Sequence, residues 1–308
     1  MFEGLLRSKP HHDRPKETGS ARPETIADTE FERQFNDIEY VDVGGVDAKI
    51  IDVAPENLSD ETPILLAPGY LSKPKEYREA MRNLYLKGRR VISVTHPRYG
   101  GFTELSPEQE KLIGKCPSEE IRKALTLLAV LNKKDITDVD VFAHSGGAVN
   151  SAIAALLDPE KVRNIAFCSP AGMVVEKDRK EIPRGMRKHI IGSRTISGGM
   201  LAQAIKNPVR AFEEGRGLTE ADIHTVLEKL HENGIGLLVV SRADDPVFPA
   251  DKTAEFLKGM GTEKNQIIDG FLSIAGGHGH LEEYVDLIEP YFAQLERNKE
   301  KKRVTASL

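Results

Sequence analysis

Hydrophobic and polar positions along the chain follow two patterns that alternate: short apolar runs, and longer stretches in which apolar residues recur with helical spacing. Ile38-Glu-Tyr-Val-Asp-Val43, the pair Gly44-Gly45 and the run Val46 to Val53 predict a β-hairpin, since their alternation has period two and two glycines suit a tight turn. Ile64 to Ala67 is the next apolar run, followed by Pro68-Gly69. A helix is expected over Lys75 to Lys87, with Tyr77, Met81, Leu84 and Tyr85 on its apolar face. The series continues with a strand at Arg90 to Thr95, a helix at Pro117 to Lys133, and a strand at Val139 to Ala143. A helix at Val149 to Leu157 and a strand at Val162 to Phe167 follow. Strands alternating with helices of this length imply right-handed crossovers and a mostly parallel sheet covered on both faces.

The alternation stops from about Val174 to Asn233 and resumes with a strand at Ile235 to Val240, a helix near Ala250 to Lys258, a strand near Gln266 to Ile274 and a last helix, Leu281 to Leu295. The interruption reads as a helical insertion. Thr219-Glu-Ala-Asp222 resembles a capping box, and Ile223, Val226, Leu227 and Leu230 form one stripe. At about 60 residues the segment is too long for a connection and too short for a large core of its own, so it is expected to pack on the sheet as a cap. Pro290 is expected to kink the last helix. These readings divide the chain into a disordered tail over 1–30, a core formed by 31–173 and 235–298, a cap over 174–234, and a flexible tail over 299–308.

Charge and cysteine content narrow the function classes. Forty-three Lys and Arg stand against 48 Asp and Glu, a formal net charge of -5, so the overall balance provides no positive field for nucleic acid or an anionic membrane. No apolar run is long enough to span a bilayer, and the opening residues lack the apolar stretch of a signal peptide, which points to a cytoplasmic protein. Cys116 and Cys168 have no paired Cys or His spacing around them, so neither a metal site nor a disulfide framework is expected. The basic stretch of the cap, Lys177 to Arg194, reads mainly as a solvated face.

Candidate chemistry concentrates in Val141-Phe-Ala-His-Ser-Gly-Gly-Ala-Val-Asn150. An apolar strand ends there, and small residues surround Ser145 before a helix begins. Such a turn exposes the serine hydroxyl and aims the Gly146 amide and the helix N-terminus at an oxyanion above it. Asp244-Asp245-Pro-Val-Phe-Pro249 follows a predicted strand, and Ile274-Ala-Gly-Gly-His278-Gly-His280 precedes the last helix. A serine hydroxyl is a poor nucleophile until a base takes its proton. A neutral imidazole can do so, and a buried carboxylate holds that imidazole in the right tautomer.

With its chain order of Ser, Asp and His, the sequence resembles the α/β-hydrolase family over about residues 36 to 298. The matching pieces are Ala143-His-Ser-Gly-Gly147, Leu66-Ala-Pro-Gly-Tyr70, His96-Pro-Arg-Tyr-Gly-Gly101, Asp245-Pro-Val-Phe-Pro249 and Gly277-His278. The resemblance implies an α/β-hydrolase fold with Ser145 as nucleophile, His278 as base and Asp245 as its orienting acid. The backbone amides of Tyr70 and Gly146 would form the oxyanion hole. Asp244 and His280 are the alternative acid and base, and His144 reads either as a packing residue or as a substrate contact. Two departures stand out: Ala143 replaces the first glycine of the turn, and Ala67-Pro68 stands where many members have a His. Relatives that form an alkyl ester on an aspartate, the epoxide hydrolases and haloalkane dehalogenases, are excluded by Ser145. The implied activity is hydrolysis of a carboxylic ester of a small-molecule substrate, with no metal or organic cofactor. Thioester or carbon–carbon bond hydrolysis and acyl transfer are the alternatives within the fold, and a non-catalytic binding protein is the alternative outside enzymes.

Overall fold

Strand β5 (Val139–His144) runs through the middle of an eight-stranded sheet, and every one of its residues is buried. Its apolar stretch Val141-Phe-Ala143 is what a parallel strand covered on both faces requires, while Asp140 and His144 are buried polar residues near its two ends. The structure, a computed structural model, describes residues 26–97, 101, 104–113, 116–192, 205, 208–260, 267–279 and 281–306. The other strands are β1 (Glu39–Asp42), β2 (Asp47–Val53), β3 (Asp60–Ala67), β4 (Arg89–Thr95), β6 (Val162–Cys168), β7 (Gly236–Arg242) and β8 (Gly270–Ile274), in the order β1-β2-β4-β3-β5-β6-β7-β8. β1 pairs antiparallel with β2, and β2 with β4; from β4 to β8 all neighbours are parallel. The hairpin turns through Gly44 and Gly45, both at φ just above +80°, a conformation that glycine reaches without a Cβ clash.

Helices cover both faces. On one side lie α3 (Pro107–Ile113), α4 (Ser118–Lys133), α5 (Gly147–Leu157) and α10 (Ala250–Gly259), packed on Leu65, Val141, Ile165 and Val239. On the other lie α1 (Ile26–Asn36), α2 (Arg78–Leu86) and α11 (Glu282–Ala306), packed on Ile64, Leu66, Phe142 and Leu238. Adjacent strand residues thus feed opposite cores, as the pleat demands. The mostly parallel sheet flanked by helices is the expected α/β-hydrolase fold.

Between β6 and β7 the chain forms α6 (Glu176–Arg179), α7 (Ile182–Gly192), α8 (Pro208–Glu220) and α9 (His224–Glu232). The stripe Ile223, Val226, Leu227 and Leu230 is buried in the sheet core, and α9 packs on α5. Helix α9 therefore completes the crossover to β7, although it falls inside the stretch expected to be cap.

Four local expectations change. Helix α1 begins inside the stretch read as a tail, because Phe31 and Phe35, one turn apart, bury on Tyr85 and the sheet. Helix α3 was not anticipated. Thr219 does not cap a helix: it lies in the last turn of α8, its Oγ1 donates to Arg216 O at 2.9 Å, and Asp222 Oδ1 instead accepts the His224 N–H at 3.0 Å. The last helix continues through Pro290 and past Arg297 to Ala306, where Lys, Glu and Arg are good helix formers. Residues 1–25 of the expected tail lie outside the described residues.

Candidate active site

At the carboxyl edge of the sheet β5 ends at His144, and the chain turns at Ser145, whose φ is +52°, before α5 begins at Gly147. A side chain at positive φ is strained and persists only where its surroundings dictate it. Here the Ser145 N–H donates to Cys168 O at 3.0 Å, and Ser145 O accepts from the Ala148 and Ala171 amides, both at 3.1 Å. Contact explains the small neighbours. A Cβ at Gly147 would lie 2.2 Å from Ala67 O, and one at Gly69 would lie 2.9 Å from Ser145 Cβ. Helix α5 and the loop after β3 therefore approach the serine backbone first.

The loop between β8 and α11 carries His278 over this turn. Its Nε2 is 3.1 Å from Ser145 Oγ, and its Nδ1 is 2.7 Å from Asp245 Oδ2. Ser145, Asp245 and His278 are buried, at 4%, 2% and 7% relative exposure. Asp245 Oδ1 also accepts the Val247 and Phe248 amides at 2.7 and 3.0 Å. Burial opposes charge on this carboxyl, but the adjacent His278, the Phe248 amide and Ser169 outweigh it and hold its pKa well below the usual carboxylate range. Ser169 Oγ is in turn 2.8 Å from Tyr284 Oη. In the neutral imidazole, Nδ1–H donates to an ionised Asp245, which leaves Nε2 as the lone-pair nitrogen facing the Ser145 hydroxyl. The arrangement can move a proton from oxygen to nitrogen, provided the serine attacks an electrophile above it.

Of the alternatives, Asp244 is exposed and accepts the Gly276 N–H at 3.4 Å, away from the imidazole. His280 lies outside the described residues, as do Arg98, Tyr99 and Gly100. Tyr70 and Gly146 flank Ser145, one in the loop after β3 and the other at the N-terminus of α5. Neither of their amides is taken up by an acceptor among the described residues. The Tyr70 hydroxyl donates to Ala211 O of α8 at 2.6 Å, and burial followed by nearby Glu214 pushes its pKa up to about 12. It stays a neutral donor that ties this loop to the insertion.

A second tie is closer still. A Cβ at Gly185 of α7 would lie 1.9 Å from Pro246 O, so this helix rests backbone to backbone on the segment that carries Asp245. One turn on, His189 sits edge-on to His278 with ring centroids 5.0 Å apart. Two cations of the basic stretch are tied up elsewhere: Lys177 pairs with Glu255 at 2.5 Å and Arg179 with Asp222 at 2.5 Å. Among the described residues no group of three or more His, Cys, Asp or Glu could hold a metal, no helix is long and apolar enough to cross a membrane, and Cys116 and Cys168 are free thiols.

Sequence reasoning did not foresee Tyr77, Ser169, Tyr284 or His189 beside the site. Tyr77 and Tyr284 stood on apolar helical faces, where a buried phenol must still place its hydroxyl; that requirement was the available signal. His144 does more than pack: it is buried and hydrogen-bonded at both ring nitrogens.

Residues 62–222 match the family model described as alpha/beta hydrolase fold. The chain belongs to the α/β-hydrolase family. Among solved structures, a candidate lipase (lip1) of Acinetobacter baumannii AYE superposes with a TM-score of 0.58 at 12% identity, covering 91% of this chain and 100% of that one. A structure from work on carboxylesterases of Nitrososphaera gargenis gives a TM-score of 0.54 at 15% identity, covering 84% and 100%. A bromoperoxidase from Bacillus anthracis gives 0.54 at 14%, covering 83% and 99%. At such identities the likeness is one of fold. A comparison with curated proteins returns no match. This α/β-hydrolase thus shares its scaffold with proteins of several chemistries, and its activity has to be argued from its own side chains.

Proposed function

We propose that this α/β-hydrolase is a serine hydrolase that cleaves a carboxylic ester of a small to medium, partly apolar substrate. The observation that carries the reading is the unbroken chain Ser145 Oγ, His278 Nε2, His278 Nδ1, Asp245 Oδ2, with spacings of 3.1 and 2.7 Å, at a serine held at positive φ. His278 takes the Ser145 proton as Oγ attacks the ester carbonyl. The tetrahedral oxyanion is received by the Tyr70 and Gly146 amides, a contribution of about 10²–10³-fold per donor in comparable sites. Ionised Asp245 stabilises the imidazolium, which then gives its proton to the departing alcohol and leaves an acyl group on Ser145. Water enters, His278 removes its proton, and the acid leaves. Helices α7 and α8 would form the wall over the substrate, since His189 and the Tyr70 tether both lie on the site.

Covalent labelling with a fluorophosphonate probe, read by intact mass, tests this. One adduct is expected on the wild type and none on Ser145→Ala or His278→Ala. A folded wild type that takes no adduct overturns the reading in favour of a binding protein on this scaffold. An ester panel set against acyl thioesters and vinylogous diketones then fixes the bond class.

A further inference from the structure

Apart from the Ser145, His278 and Asp245 set, a second hydrogen-bonded chain runs beneath the site and joins two of its loops. The Gly69 N–H donates to Tyr77 Oη at 2.8 Å. Tyr77 Oη is 2.8 Å from His144 Nδ1, and His144 Nε2 is 3.1 Å from the main-chain carbonyl oxygen of His278. Tyr77, His144 and His278 are all buried.

With His144 neutral, the two ends of this chain fix every proton in it. A peptide N–H can only donate and a carbonyl can only accept. His144 Nε2 must therefore carry the hydrogen that it gives to His278 O, which makes Nδ1 the lone-pair nitrogen. Tyr77 then donates its own hydrogen to Nδ1 while accepting from Gly69. The result is a directed series of three bonds with no charge in it. The surroundings enforce that neutrality. Burial first, and then His278, lower the His144 pKa well below its usual value, while burial raises that of the Tyr77 phenol. The groups facing His144 are Tyr77 from the 3₁₀ turn just before α2, Tyr284 from α11, Cys168 beside it on β6, His189 from α7, and Asp245 and His278 from their loops. A positive charge on His144, with ring centroids 4.9 Å from His278, would oppose the imidazolium that the proposed reaction forms there.

We propose that Tyr77 and His144 are positioning residues, binding the Gly69–Tyr70 segment to the backbone of His278 so that oxyanion donor and base stay in register over Ser145. The assignment rests on the serine hydrolase reading. It also has a physical need behind it, because the donors and the base ride on separate loops and a misplacement of about 1 Å can cost about 100-fold in rate.

The test uses the full chain and the variants Tyr77→Phe, His144→Gln and His144→Asn, with fluorophosphonate labelling rates and kcat and KM on an aryl ester. Tyr77→Phe is expected to lose about 10- to 100-fold in kcat with KM little changed. Glutamine can place an N–H where Nε2 stood and reach His278 O, whereas asparagine cannot, so His144→Gln should keep more of the rate than His144→Asn. In the wild type, ¹⁵N imidazole shifts should show His144 neutral with its proton on Nε2 from about pH 5 to 8. That measurement does not depend on any variant folding. Wild-type kcat in Tyr77→Phe, equal losses in the two His144 variants, or an Nδ1–H or protonated His144 overturns the proposal alone. Failure of the wild type to label at Ser145 overturns the hydrolase reading and takes this one with it.

Discussion

The two ends of β5 carry buried polar clusters of opposite character. At its amino end Asp140 accepts from Arg89 at 2.9 Å, Arg163 at 3.0 Å and Asn164 at 2.8 Å, while Arg89 also pairs with Glu289 and Arg163 with Asp60. At its carboxyl end, about 13 Å along the strand, lie His144 and Ser145, with one carboxylate, imidazoles, hydroxyls and two amides that have no acceptor among the described residues. Permanent charges are paired at the first end. At the second, the proposed reaction creates charge only transiently. The difference teaches what each arrangement can do: mutual pairing of full charges holds strands and helices in place, whereas the proposed hydrolase site, if it is to stabilise an oxyanion, must leave donors unspent.

Breaking each end separately should separate activity from stability. The largest effect is expected from Asp245→Asn, which keeps the shape of the side chain but removes the charge and the tautomer control. Steady-state kinetics should show kcat falling about 10³–10⁴-fold, far more than any accompanying change in melting explains. Asp140→Ala should do the reverse, since it strips a carboxylate from the buried Arg89. Denaturant unfolding should register a loss of about 3–5 kcal/mol, with kcat per folded molecule unchanged. A kcat that falls in parallel with stability would show that the two ends do not act independently.

A smaller effect sharpens the comparison by pH. The folded state refuses a proton on His144 that the unfolded chain accepts near pH 6.5, so stability is unaffected above that value and falls as pH drops below it toward the folded pKa. The slope is at most about 1.4 kcal/mol per pH unit for one proton. His189, half-buried and lowered for the same reasons, adds to it. At the other end, Asp60 opposes its burial through hydrogen bonds from Arg163 and the Thr62 amide, and its pKa is lowered. Its contribution is present above about pH 3.9 and is lost only as pH falls further. Acid titration of the unfolding free energy should therefore weaken the carboxyl end first, and His144→Gln should flatten the curve between about pH 6.5 and 5.

The core strands were legible because each is an apolar run with turn residues at its end, and the order of Ser145, Asp245 and His278 along the chain suggested one rim. Helix α1 was hidden by its polar setting, since only Phe31 and Phe35 mark its buried face. The boundary near Thr219 was misplaced because its spacing to Asp222 imitates a capping box, while the tertiary fold runs α8 through Thr219 and leaves Asp222 to start α9. What sequence could not give is the partner of a buried polar atom. Nothing in the spacing of Tyr77, His144 and His278 says that their hydrogen bonds meet, because the contact is made by three separate crossovers stacking at one edge.

Helix α11 gives the two ends of the sheet a common measure. It starts at Glu282, just after the loop that holds His278, and it lodges Glu289 against Arg89 and Glu296 against Asn164 in the opposite cluster. From Glu282 to Glu296 the helix climbs about 21 Å at 1.5 Å per residue. The height of the imidazole above the sheet is thus set by a count of helical residues, as on a ruler pinned at its far end. Within that span a substitution changes a contact, but a single inserted residue would turn everything beyond it by about 100° and leave one pin or the other without its hole.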